Sequence, residues 1–243
     1  MIAKKLKFLL NPPIPSLLLS GVGLVALELA SRVSAWGTFA WLCYVIYLYA
    51  TQVRGRGKMG ISFTLFSFIS LWVIQDISGG TLLFAAAVCI AILLALFLGA
   101  IGYRFSRYDA ALQLFYYMTI GMNVAWWATN AFSGFSFFST VLVWGGIYLL
   151  FRDRNRFLTQ VWNADDSVIY LLFTLLMLQY VWGVTLLSMH GLDIAALFLI
   201  FVVIGDDVIS VARTGVITRE YIYKNMGLYI GCSIAVLALS FWF

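Results

Sequence analysis

Proline is confined to the start of this chain, at Pro12, Pro13 and Pro15. Everything beyond lacks the residue that removes a backbone donor and kinks helix interiors. Histidine occurs once, as His190, which excludes a haem held by two axial histidines of this chain and any histidine-rich metal site. Cys43, Cys89 and Cys232 are far apart, each in an apolar run, with no CxxC or metal-ligand spacing. They read as small hydrophobes used in helix packing. There is no HExxH motif, no glycine-rich phosphate loop and no nucleophile set beside a histidine base. Every lysine falls in a terminal arm or an expected polar loop, so a Schiff base inside a helix is not expected. The expectation is therefore a protein without cofactor, metal ligands or catalytic residues, and not an enzyme.

What is present is apolar. Hydrophobic residues make up 63% of the chain and charged ones only 10%, with a mean hydropathy of +0.99. That is far outside the soluble globular range. Apolar runs of membrane-spanning length recur from end to end without the alternation of barrel strands. The fold class expected is all-α: a polytopic helical membrane protein with about nine transmembrane helices in one domain over 1–243. Its first partner is the lipid bilayer. The net charge of +5 is placed as a topology signal rather than as a nucleic-acid surface, and no nucleic-acid partner is expected.

In chain order, a basic arm over 1–14 ends in the prolines, and a first helix starts near Pro15, because proline is tolerated in a first turn. The lysines before this apolar stretch, and Val33-Ser34-Ala35 after it, imitate a cleavable leader. It is read here as the first spanning helix. Helices are expected over 15–30, 36–52, 61–77, 81–103, 110–129, 137–151, 167–187, 192–213 and 225–243. The longest polar connection, 152–166, carries Phe157, Leu158, Val161 and Trp162 at helical spacing, as a short interfacial helix would. Asp165 or Asp166 would cap the helix that follows.

Of the 15 lysines and arginines, Arg32 alone falls on the outer side in this scheme. The positive-inside rule then puts the N-terminus in the cytoplasm and the C-terminus outside. Trp36, Trp41, Trp72, Trp126, Trp127, Trp182 and Trp242 fall near outer helix ends, as an interfacial belt requires. Glycine-containing outer turns recur after the odd helices, which suggests four hairpins plus a terminal helix.

Two acids stand out in this apolar setting. Asp206 and Asp207 lie well inside LDIAALFLIFVVIGDDVISVAR, where each ionisable group costs roughly 2.5–3.5 kcal/mol on insertion scales. The run 192–204 is about 20 Å long as helix, short of a core of about 30 Å. The helix must continue through the acids or turn back. Adjacent helical residues diverge by about 100°, so the two carboxylates cannot share a pocket unless Gly205 bends the chain. Arg213 lies two turns further on. Glu28 and Arg32 have the i,i+4 spacing of an ion pair. Gln179 and Asn123 are polar groups at mid-helix depth. Gly227, Gly231 and Ala235 form a small-residue stripe suited to helix packing, within the bundle or against a second copy.

Three functions follow. One is a small ion, proton or solute transporter or channel, with Asp206, Asp207, Arg213, Glu28, Gln179 and Asn123 in its pathway. A second is a non-catalytic membrane subunit or scaffold with a homo-oligomeric or membrane-protein partner. The third is a lipid-modifying enzyme at the cytoplasmic face, which the absence of a DxxxD-type carboxylate spacing disfavours. Transport is the leading expectation.

Overall fold

The computed structural model describes residues 14–53, 59–103, 108–130, 136–158, 164–185, 191–214 and 218–240. Among these the chain is all-helical: α1 (Ile14–Ser31), α2 (Ala35–Leu48), α3 (Gly60–Asp76), α4 (Gly80–Tyr103), α5 (Tyr108–Asn130), α6 (Ser136–Leu158), α7 (Ala164–Thr185), α8 (Gly191–Thr214) and α9 (Arg219–Ser240). A π-helical turn, Tyr49–Val53, extends α2. Among the described residues three segments are long and apolar enough to cross a membrane: Gly80–Ile101, Asp165–Thr185 and Asp193–Ala212. The basic arm before Ile14, the loops 54–58 and 104–107, Val161, Trp162, His190 and Trp242 lie outside the described residues.

Pro15 falls in the first turn of α1, where its missing N–H breaks no hydrogen bond. Ser34 caps α2, its hydroxyl accepting from the Gly37 N–H at 3.1 Å. Thr218 caps α9 in the same way through the Tyr221 N–H at 3.2 Å. Asp165 and Asp166 are not caps. They sit in the first turn of α7, where their charge favours the helix dipole.

The polar sequence ends fewer helices than expected. Helix α6 runs on through Arg152, Asp153, Arg154, Asn155 and Arg156 to Leu158, so the start of the expected interfacial helix is a continuation of α6. Helix α9 begins at Arg219, before the apolar run. Hydropathy marks where apolar surface ends, whereas arginine and glutamate are good helix formers that prolong a helix beyond it.

The chain divides into two compact units, residues 1–116 with 152–162, and residues 117–151 with 163–243. In the first, α1 packs against α2, α3 and α4. A Cβ at Gly21 would overlap the Ala91 carbonyl, so glycine is what lets α1 and α4 touch backbone to backbone. Phe63, Phe97 and Phe115 stack in its core, with ring centroids 6.4 and 4.3 Å apart along the series.

In the second unit α8 packs against α7 and α9. Trp127 is fully buried and donates to the Thr140 hydroxyl at 2.9 Å. Of the tryptophans expected in an interfacial belt, Trp36, Trp72 and Trp182 are exposed, but Trp41 and Trp127 are core residues. Position along a helix sets depth, and only packing sets the face. The three cysteines are likewise exposed, not in helix packing as expected.

Candidate functional site around Asp206

Helix α8 is α-helical through Gly205, Asp206 and Asp207, so Gly205 does not break the helix. The glycine has a different use. A Cβ at that position would overlap the Phe173 ring of α7, and Phe173 is itself held in a buried aromatic cluster with Phe151 and Phe201. Gly205 therefore provides the room in which α7 and α8 close up beside the acids.

With the helix regular, the two aspartates part as their 100° separation demands. Asp206 points inward and is 6% exposed. Its Oδ2 accepts from the Tyr117 hydroxyl of α5 at 2.8 Å, and its Oδ1 from the Tyr170 hydroxyl of α7 at 3.5 Å. Tyr170 is buried and stacks on Phe151 with centroids 5.3 Å apart. Asp207 points outward, exposed, and accepts from the Tyr221 hydroxyl of α9. One acid is thus enclosed by phenols, and its neighbour ties α8 to the start of α9.

The remaining expected residues do not converge on Asp206. Asn123 is buried on α5. Gln179 is exposed on α7. Arg213 lies in α8, and its side chain is outside the described residues. Gly227, Gly231 and Ala235 are exposed on α9, and among the described residues no neighbour beyond the adjoining backbone of α9 lies within 4 Å of a Cβ built at either glycine. Among the described residues no other helix packs on those two glycines.

Glu28 belongs to the first unit and is fully buried. It does not pair with Arg32. It accepts from the Ser70 hydroxyl of α3, while Arg32 donates to the Ile77 carbonyl at 3.0 Å and closes the end of α3. The Trp41 indole lies beside the Glu28 carboxylate, with Nε1 and Oε2 both short of hydrogen-bond geometry. A helix-surface ion pair was the expectation from spacing alone. Packing of α1 against α3 turns Glu28 inward instead.

A second polar cluster was not legible in the sequence. Asp153 Oδ2 accepts from the Ser62 N–H at 3.0 Å and from the Ser62 hydroxyl at 3.1 Å. The Ser62 oxygen in turn lies 2.9 Å from the Tyr116 hydroxyl, which also reaches Met59 Sδ at 3.1 Å. A carboxylate from α6 thereby caps the N-terminus of α3, whose own preceding residue, Met59, offers no side-chain cap. Burial pushes the Asp153 carboxyl above its ordinary value, despite the two Ser62 bonds and the nearby Arg152 and Arg156. In the sequence Asp153 is one of several charges in RDRNR, and the Ser62 bond spans 91 residues. No local signal marks such a pair.

No protein-family model, curated protein or solved structure matches the chain. A carboxylate that accepts from two phenol hydroxyls can attract a small cation, because the tyrosines supply hydrogen bonds in place of water. Among the described residues no three histidine, cysteine or acidic side chains gather as metal ligands.

Proposed function

We propose that this chain is a polytopic membrane protein of about nine crossings, arranged as four hairpins and a terminal helix, that moves a proton, small cation or small solute with Asp206 as its working carboxylate. The cytoplasmic N-terminus and outer C-terminus follow from the lysine and arginine pattern. Support for the membrane setting comes from the three long apolar segments and the shorter Ser16–Ser31 and Gly60–Asp76.

The observation that carries the proposal is the enclosure of Asp206. An acid placed in an apolar helix is expensive, and its default reading is a place in an ion or proton pathway. Here the protein spends two buried or part-buried tyrosines, Tyr117 and Tyr170, on the carboxylate. Asp207 has the opposite environment, and its contribution is the link to Tyr221.

The test is flux in proteoliposomes, with protons, sodium and potassium as the probes. Asp206→Asn should lower flux at least tenfold with folding preserved. Asp207→Asn should retain more than half. Full flux in Asp206→Asn overturns the proposal.

The open Gly227, Gly231 and Ala235 face favours a second reading, a scaffold subunit that receives a partner helix there. Absence of flux for every ion, together with co-purification of a stoichiometric membrane partner, would select it.

A further inference from the structure

A cavity of about 440 Å³ lies along the α8–α9 contact. Its wall is carbon almost throughout, formed by Phe201, Gly205, Val208, Met226 and Tyr229 among others, with Asn225 as its polar member. The aromatic side is rigid: Phe201 stacks on Tyr180 with centroids 4.7 Å apart, and Tyr229 meets both rings edge-on at 6.3 Å.

Asn225 is 8% exposed, and its Nδ2 has no hydrogen-bond partner. The Tyr221 hydroxyl is beside it but outside hydrogen-bond geometry for that nitrogen, and donates to Asp207. A buried amide N–H₂ left unmatched costs about 1–3 kcal/mol. Some acceptor that enters the groove would remove that cost.

We infer that this groove binds one acyl chain of a membrane glycerophospholipid, with an ester carbonyl of the lipid accepting from Asn225 Nδ2. The volume falls within the roughly 300–1,000 Å³ of small-molecule sites, which are mostly apolar with a few placed polar groups.

The depth of the donor fits the ligand. Asn225 is in the second turn of α9, close to the polar end of that helix. The exposed residues around that end carry both signs, Asp207, Arg219, Glu220 and Lys224, which suits a zwitterionic head group. Lipid and second copy are also separable in space. Positions 225, 226 and 229 of α9 line the groove, and the stripe 227, 231 and 235 points about 180° away around the helix.

The inference rests on the membrane setting proposed above and not on ion flux. The experiment is native mass spectrometry of the full chain, purified in detergent and titrated with palmitoyl-oleoyl phosphatidylcholine. Wild type should retain one phospholipid per chain. Met226→Trp, which fills the groove, should abolish retention, and Asn225→Val should weaken it about two- to tenfold, the range for one lost hydrogen bond.

Circular dichroism checks the fold of each variant, and Asn225→Val decides the matter if Met226→Trp does not fold. Wild type without retained lipid, or either folded variant with wild-type retention, overturns the inference, as does a dimer that is lost with Met226→Trp in place of lipid. Resistance to alkaline carbonate extraction reports the membrane setting separately. A chain that stays in the bilayer yet holds no lipid defeats the groove alone.

Discussion

Asp206 and Asp207 differ by one position and by nearly everything that matters chemically. The first is buried with phenol hydroxyls on both carboxylate oxygens, and the second is exposed. Tyr117 holds its oxygen at 2.8 Å and Tyr170 at 3.5 Å, and the two should not be equivalent. Tyr117→Phe is expected to reduce Asp206-dependent flux more than Tyr170→Phe in the same proteoliposome assay, because the shorter bond does more to hold the charge.

Asp153 gives a prediction of stability. Its carboxyl is raised by burial, so folding favours the protonated form. Its stabilising contribution is complete below the unfolded value of about 3.9 and is lost as pH rises through the higher folded value. Asp153→Asn keeps an acceptor for Ser62 without the charge. Relative to this variant, wild type should lose stability as pH rises above the unfolded value of about 3.9 and through the raised folded value. Asp153→Ala removes the cap of α3 and should cost about 1–3 kcal/mol. Denaturant titration in detergent micelles measures both.

At the scale of elements, the same substitution should have opposite signs at two glycines. Gly21 lies against the Ala91 carbonyl, whereas Gly227 faces open space. Gly21→Ala should destabilise by about 1–3 kcal/mol through overpacking of α1 on α4. Gly227→Ala should stabilise the isolated chain by about 0.5–1 kcal/mol, the helix preference of alanine. Thermal unfolding in micelles checks the pair, and a loss at Gly227 would mean that a partner occupies that face.

The helices themselves were legible, since apolar runs, Pro15 and the glycine turns delimit them to within a few residues. The exceptions, the end of α6 and the start of α9, are both charged. The faces were less legible, because a nearly all-apolar helix has no polar side to mark what points outward. Trp41, Trp127 and Glu28 all turned inward on that account.

At the scale of the whole molecule, the charge pattern makes a prediction that packing does not touch. With nine crossings, an alkaline phosphatase domain fused after Phe243 should be active outside the membrane, and a fluorescent protein fused there should be dark. The reverse result would mean an even number of crossings.

By itself the sequence determined the helical class, where most helices begin and end, and that Asp206 and Asp207 must part company on a regular helix. Those are consequences of composition and of a period of 3.6 residues, and both can be read along one strand of text. Only the tertiary structure decided which aspartate is enclosed, that Gly205 makes room for Phe173 where a bend was conceivable, and that Asp153 caps α3 across 91 residues. Each depends on which helix packs against which, and in an apolar chain the neighbours of a face are chosen by shape and small residues rather than by polarity.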